Sequence, residues 1–434
     1  MKITFLLCRA NWIRTLGPII DIAIKDADIE LDIVFFPDND TIKPGPSRKA
    51  LPERFRDECK IVEINSPESL SAYLENSDAV IAILGRNRIF EDERLSPRKP
   101  IWCAVFDALH STLPAHGFND ADLAFWPTPF YLHYAISEVP KMGPQYRSCL
   151  GEDLNENFKW TPDQEKALRE NARFSGYVRL DAYNYISPRE VCERSGIDTE
   201  RPVVLFIPDA YRFNRLLPLT TNTLYSHVWC ADGLFKRLFG ALFMVRTFEA
   251  VRKAFDINFS YTATIHAIRE FCDRNGAQLV IVPRRRKEWV DRPYTEAEME
   301  AADVFLQSNA EYPQTMMQGI AIANLVICPY RSASVLESVG GGKSFITIDL
   351  PDTACSELGI SNKKIDDRLR TDWPGVAWLI DAEEFNQHFA AKNLDDFQTD
   401  PKIMADYTAK HFGFTDGKNS ERLLREIKDF FTGR

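Results

Sequence analysis

No two cysteines in the 434-residue sequence are spaced as CxxC; all nine (Cys8, Cys59, Cys103, Cys149, Cys192, Cys230, Cys272, Cys328 and Cys355) stand singly. The odd count and their place in apolar runs argue against a disulfide framework or a zinc site, and point to reduced, buried thiols in a cytoplasmic protein. No stretch reaches about 18 apolar residues without charge, so no transmembrane helix is expected. The opening MKITFLLCRANWIR is too short in apolar residues for a signal-peptide core and reads as a buried first strand. Positive charge is in deficit, with 53 Lys+Arg against 63 Asp+Glu and a formal net charge of −10. A long nucleic-acid partner would need a basic face to release counterions from its phosphates. One small anion held by a few local arginines remains compatible with that charge.

What is present is an ordinary globular composition, 45% hydrophobic and 27% charged. At roughly 150 residues per domain the length suggests two or three domains. Short apolar runs alternate with helical stretches. Ile3–Cys8, Leu31–Phe36, Ala79–Leu84, Ile101–Phe106 and Leu123–Trp126 read as strands, with helices at Thr15–Lys25 and Pro67–Glu75. The second half repeats the pattern in Val203–Ile207, Leu279–Val282, Leu325–Cys328 and Phe345–Ile348, with helices near Tyr261–Asn275 and Tyr312–Ala323. Buried strands alternating with helices indicate parallel sheets covered on both faces. The expectation is an α/β chain of two Rossmann-like, doubly wound domains. Gly143–Ala172 reads as a surface excursion. Leu234–Phe255 reads as a basic, Phe-rich helix packed at the domain junction, with peripheral contact to the inner face of a membrane as the alternative.

The most informative stretch is Ala323–Leu350, ANLVICPYRSASVLESVGGGKSFITIDL. Its GGGKS is no P-loop, because GxxxxGK[ST] needs a glycine where Glu337 stands, and Lys343 follows a helix and enters a strand. Ser332 and Ser334 instead sit where a strand turns into a helix, at the edge of a parallel sheet where anions bind. Glu337 lies one turn further and could accept both hydroxyls of a ribose. A serine N-cap with a capping glutamate would produce the same spacing. VPRRRK (Val282–Lys287) ends another buried strand. If that strand continues, Arg284 and Arg286 point to one side and could grip a pyrophosphate, with a solvated basic loop as the bland alternative. In the first half, IWCAVFDALHST (Ile101–Thr112) runs from a strand into a loop with Asp107 and His110, and RANWIRT (Arg9–Thr15) follows the first strand.

The order strand, S-x-x-x-x-E, helix, glycine, strand resembles the donor-nucleotide site of glycosyltransferase-B (GT-B) fold proteins. It is most similar to the branch of CDP-glycerol glycerophosphotransferases, capsule polysaccharide transferases and UDP-N-acetylglucosamine 2-epimerases. GYVRLDAY (Gly176–Tyr183) resembles that branch's G-x-P-x-x-D stretch, with Val178 in place of proline. RPVVLFIPDAYRFN (Arg201–Asn214) is similar to the opening of its second domain, and HFGFTDGKNSERLLREI (His411–Ile427) to its closing helix. The arginines of VPRRRK stand where the branch often has K-x-H-P.

The resemblance implies two domains facing a cleft, residues 1–185 on the acceptor side and 186–410 on the donor side, with 411–434 crossing back to the first. It implies a transferase moving a sugar or alditol phosphate from a nucleotide-activated donor to a hydroxyl of a glycan or lipid-linked acceptor, in surface polysaccharide or glycan synthesis. In that reading Ser332, Ser334, Glu337, Arg284 and Arg286 hold the nucleotide, whose base is left open. His110 with Asp107 supplies the base, since deprotonating a hydroxyl near pH 7 suits a histidine or a histidine–carboxylate pair. Arg14 or Asn11 could touch an anionic acceptor. The alternatives are a sugar-nucleotide 2-epimerase or hydrolase, and a non-catalytic nucleotide-sugar-binding protein. The epimerase loops G-T-R-P-E and H-x-E-A-G are missing from CRANWIRTLGP and FDALHST. No D-x-D motif with the loop context of GT-A enzymes is evident, and NDAD (Asn119–Asp122) precedes a strand instead of ending one, so neither metal nor cofactor is expected.

Overall fold

Strands buried on both faces account for the apolar runs, because a parallel sheet covered by helices leaves no strand face for water. A computed structural model describes residues 1–36, 48, 51–90, 92–113, 116–141, 159–208, 261–282, 296–307, 312–329, 332–349 and 368–433. Their contacts divide the chain into two units. The first is Met1–Tyr185 with Ala310–Pro313 and Ala405–Arg434; the second is Ile186–Asn309 with Gln314–Met404. Leu234–Phe255, with its membrane alternative, lies outside the described residues. Among the described residues no helix is long and apolar enough to cross a membrane.

The first unit holds β1 (Lys2–Leu7), β2 (Glu30–Phe35), β3 (Lys60–Glu63), β4 (Ala79–Ala82), β5 (Ile101–Val105), β6 (Leu123–Trp126) and β7 (Ala172–Phe174). They form one parallel sheet in the order β3-β2-β1-β4-β5-β6-β7. The second unit holds β8 (Val203–Phe206), β9 (Gln278–Ile281), β10 (Val304–Phe305), β11 (Leu325–Pro329), β12 (Ser344–Asp349) and β13 (Ala377–Asp381). Its parallel order is β10-β9-β8-β11-β12-β13. Each order reverses direction once, between β1 and β4 in the first sheet and between β8 and β11 in the second. Open parallel sheets bind ligands in the crevice beyond the carboxyl ends at such a reversal. The α/β, doubly wound architecture read from the sequence is therefore present in both halves.

The second core is carried by stacked phenylalanines. Phe389 lies between Phe271 and Phe385, with ring centroids 4.4 and 4.2 Å away, and all three are buried. The six described cysteines are buried. One expectation needs correcting: Gly143–Ala172 is not wholly a surface excursion. Pro162–Glu170 is a helix, closed at its start by a reciprocal capping box between Thr161 and Gln164, and Ala172 opens β7.

The chain ends in a helix, Asn419–Thr432, that packs on the first helix, Ile13–Ala23, within the first unit. Its start is fixed by Asp181, whose carboxylate accepts from the Ser420 N–H at 2.5 Å and the Asn419 amide at 3.0 Å. A carboxylate suits the positive end of a helix dipole. Burial nevertheless holds the Asp181 carboxyl above its ordinary range, against the pull of those two donors. Gly176 makes this approach feasible, having a φ of 89° and no room for a side chain; a Cβ there would lie 2.0 Å from the Asn419 Oδ1. Gly196, at a φ of 69°, has open space around it. Gly196→Ala should therefore cost about 1 kcal/mol of backbone strain, while Gly176→Ala adds a steric clash and should cost on the order of 3 kcal/mol. Urea unfolding of both variants checks the difference.

Candidate functional site

The residues selected from the sequence fall into two groups, one in each unit. In the second unit β11 is followed by a turn that holds Ser332 and then by the helix Ser334–Gly340, which begins with Ser334 and carries Glu337 one turn on. All three are buried, Glu337 to 1% exposure. The Ser332 and Ser334 hydroxyls lie 3.1 Å apart, and Ser332 Oγ accepts from the Ser334 N–H at 3.3 Å. The helix N-cap is Ala333, which offers no side-chain acceptor, so the serine–glutamate spacing does not form a capping box. These groups line the carboxyl end of β11, at the reversal point of the second sheet. Arg284 and Arg286 lie outside the described residues. Lys343 sits between that helix and β12, the reverse of a P-loop lysine, and burial lowers its pKa.

In the first unit the loop after β5 continues as a single 3-10 turn, Leu109–Thr112, whose backbone carries His110. The His110 side chain lies outside the described residues. Asp107 opens the loop and is 1% exposed. Its carboxylate accepts from the guanidinium of Arg179 and the hydroxyl of Thr15, and from Arg14 at 3.2 Å. The Arg179 Nε in turn donates to the Thr15 hydroxyl at 2.7 Å. Arg179 has no solvent exposure, whereas Arg14 keeps 22% of its side-chain surface. Two guanidinium groups and a hydroxyl thus converge on one buried carboxylate. Asp107 therefore acts as an anchor within its loop. The sequence pairs it with His110, three residues on, and these contacts give it partners in two further segments.

Arg179 and Thr15 were not among the residues selected. A signal existed for Arg179, a lone cation between Val178 and Leu180 in the quoted motif GYVRLDAY; its partner lies 72 positions away and no spacing rule reaches it. The NDAD carboxylates also have structural partners: Asp122 accepts from Arg86 at 2.5 Å and from the Trp102 N–H at 2.7 Å, and Asp120 from the Asn87 N–H at 2.7 Å. Among the described residues no group of three His, Cys, Asp or Glu side chains could hold a metal.

No protein-family model and no curated protein matches the sequence. Solved structures do match in fold. UDP-GlcNAc 2-epimerase from Neisseria meningitidis, bound to UDP-GlcNAc, is similar at a TM-score of 0.53 and 12% identity, over 99% of this chain and 100% of that one. MnaA from S. aureus, in complex with UDP, is similar at 0.53 and 12%, over 99% and 97%. The wall teichoic acid polymerase TagF is similar at 0.52 and 9%, over 100% and 89%. The two Rossmann-like units thus have the GT-B fold, and the neighbours come from the branch whose motifs the sequence resembles.

The ion cluster predicts unequal losses. Arg179→Ala leaves a buried carboxylate short of its main partner and should destabilise the chain by about 3–5 kcal/mol. Arg14→Ala removes a part-exposed partner and should cost about 1 kcal/mol or less. Chemical denaturation of the two variants measures both.

Proposed function

We propose that the chain is a GT-B transferase that takes a nucleotide-activated sugar or alditol phosphate and passes it to a hydroxyl of a glycan or lipid-linked acceptor. The observation that carries this reading is the buried group Ser332, Ser334 and Glu337 at the carboxyl end of β11, where the second sheet reverses. Hydroxyls at the carboxyl end of a central strand suit the phosphates, and a buried carboxylate one turn on suits a ribose diol. Arg284 and Arg286 complete the pyrophosphate contacts in this proposal. The structural neighbours support a nucleotide-linked substrate, since one is bound to UDP-GlcNAc and another to UDP.

The chemistry follows the residues of the first unit. The acceptor hydroxyl oxygen attacks the anomeric carbon of a sugar donor or the phosphorus of an alditol phosphate donor. His110 takes the hydroxyl proton, and the nucleotide leaves with the electron pair of the broken bond. Donors held at the phosphates offset the charge that grows on the leaving group. Asp107, tied to Arg179, does not share the proton transfer.

A 2-epimerase is the second reading, supported by the epimerase neighbour from Neisseria meningitidis. It needs free carboxylates for proton abstraction and return. The missing G-T-R-P-E and H-x-E-A-G loops and the engaged state of Asp107 weigh against it.

Two variants test the transferase reading. Glu337→Gln keeps the side-chain shape while removing the charge, and should weaken nucleotide binding at least tenfold, which is about 1.4 kcal/mol. Calorimetric titration with CDP and UDP reads this, and affinity equal to wild type would remove the assignment. His110→Ala should lower kcat by about 10²–10⁴ with nucleotide affinity unchanged.

A further inference from the structure

The loop that carries His110 is held at both ends. At its start the Asp107 carboxylate is bound by Arg179, Thr15 and Arg14. The Asp107 carbonyl accepts from the Tyr177 hydroxyl at 3.2 Å, and the Asp107 N–H donates to Ser111 Oγ at 3.0 Å. Ser111 Oγ also lies 3.4 Å from the Ala108 N–H, and the Thr112 hydroxyl donates to the Leu109 carbonyl at 2.6 Å. Little rotational freedom is left to the backbone between residues 107 and 112.

Arg179 occupies the centre of this arrangement. Its guanidinium meets a carboxylate and a hydroxyl at once, a task that needs the planar fork of arginine; the single ammonium of lysine does not reproduce it. The segment that presents it, Val178–Tyr185, is fixed two residues on by Asp181, which the closing helix binds through Ser420 and Asn419. One short segment therefore carries two buried charges of opposite sign, one aimed at the closing helix and one at the His110 loop. Stability alone is a weak reason for the buried Arg179–Asp107 pair, because an apolar pair of equal size often does as well. A fixed direction for the loop is a better reason.

We propose that Arg179 is a positioning residue: through Asp107 and Thr15 it fixes the turn from which His110 acts. The inference rests on the assignment of His110 as the base, and a misplacement of about 1 Å in such a group can cost on the order of 100-fold in rate. Tyr177 and Thr15 are the supporting contacts. Arg14 adds a second cation to the same carboxylate from the loop after β1.

The test uses the full chain with Arg179→Lys, which keeps the charge and loses the fork, and Thr15→Val, which keeps the shape and loses the bridging hydroxyl. If Arg179→Lys does not fold, Thr15→Val still decides. The first readout needs no substrate. In protein labelled with ¹³C at histidine Cε1, the His110 resonance, identified by its loss in His110→Ala, should move in both variants, while that of His388 in the second unit stays. The second is release of nucleotide from UDP-N-acetylglucosamine and from CDP-glycerol. On whichever is turned over, kcat should fall at least tenfold with KM within twofold, and neither variant should slow His110→Ala further. An unmoved His110 resonance with wild-type kcat overturns the positioning role. Losses that multiply with His110→Ala would also overturn it, by showing that Arg179 acts elsewhere. Wild-type turnover in His110→Ala would instead remove the base assignment, a different failure read from a different variant.

Discussion

A guanidinium with no access to water must be matched inside the protein, and in the first unit Arg179 is matched by Asp107 and Thr15. Desolvation makes an unpartnered charge far more expensive than an unpartnered dipole, so the three side chains constrain one another. They join the loop after β5, the first helix and the segment 178–185, which are distant in sequence. Asp181 extends the constraint to the closing helix, and Gly176 gives that helix room to approach. The turn bearing His110 inherits its direction from these contacts.

The second unit solves a different problem. It needs polar groups at the carboxyl edge of a sheet whose strands are otherwise apolar. The turn between β11 and its following helix supplies them with two serines and a glutamate within six residues. The helix begins after Ala333, which has no capping side chain, and its first N–H groups bond back to the turn, Ser334 to the Ser332 hydroxyl and Leu336 to the Ala333 carbonyl. The net charge of −10 is compatible with the anion site proposed at this turn, because the charge belongs to the whole chain and the turn is local. Bulk charge bears on long polyanions, not on one small phosphorylated donor.

The sequence made the central strands legible because β1, β4, β5, β6, β8, β9, β11 and β12 are buried on both faces and read as apolar runs. It did not reveal β3, β7, β10 or β13. Those strands lie at sheet edges; Lys60–Glu63 and Ala172–Phe174 are partly exposed, Val304–Phe305 is two residues long, and Ala377–Asp381 has only one buried residue. The same contrast holds for the sites. Ser332, Ser334 and Glu337 were readable because their spacing is local. Asp107 stands out in the sequence for its neighbour His110, whereas its partner Arg179 is brought to it only by the folded chain. Long-range ion pairs leave no periodic trace.

A transferase of this kind requires that the second unit bind a nucleotide. Thermal unfolding of the full chain against CMP, CDP, UDP, GDP and their sugar conjugates addresses that directly. A ligand bound by the native state alone raises the melting temperature in step with the logarithm of its concentration. The account predicts such a rise for one base, larger for the diphosphate than for the monophosphate. A flat response to every nucleotide would contradict it.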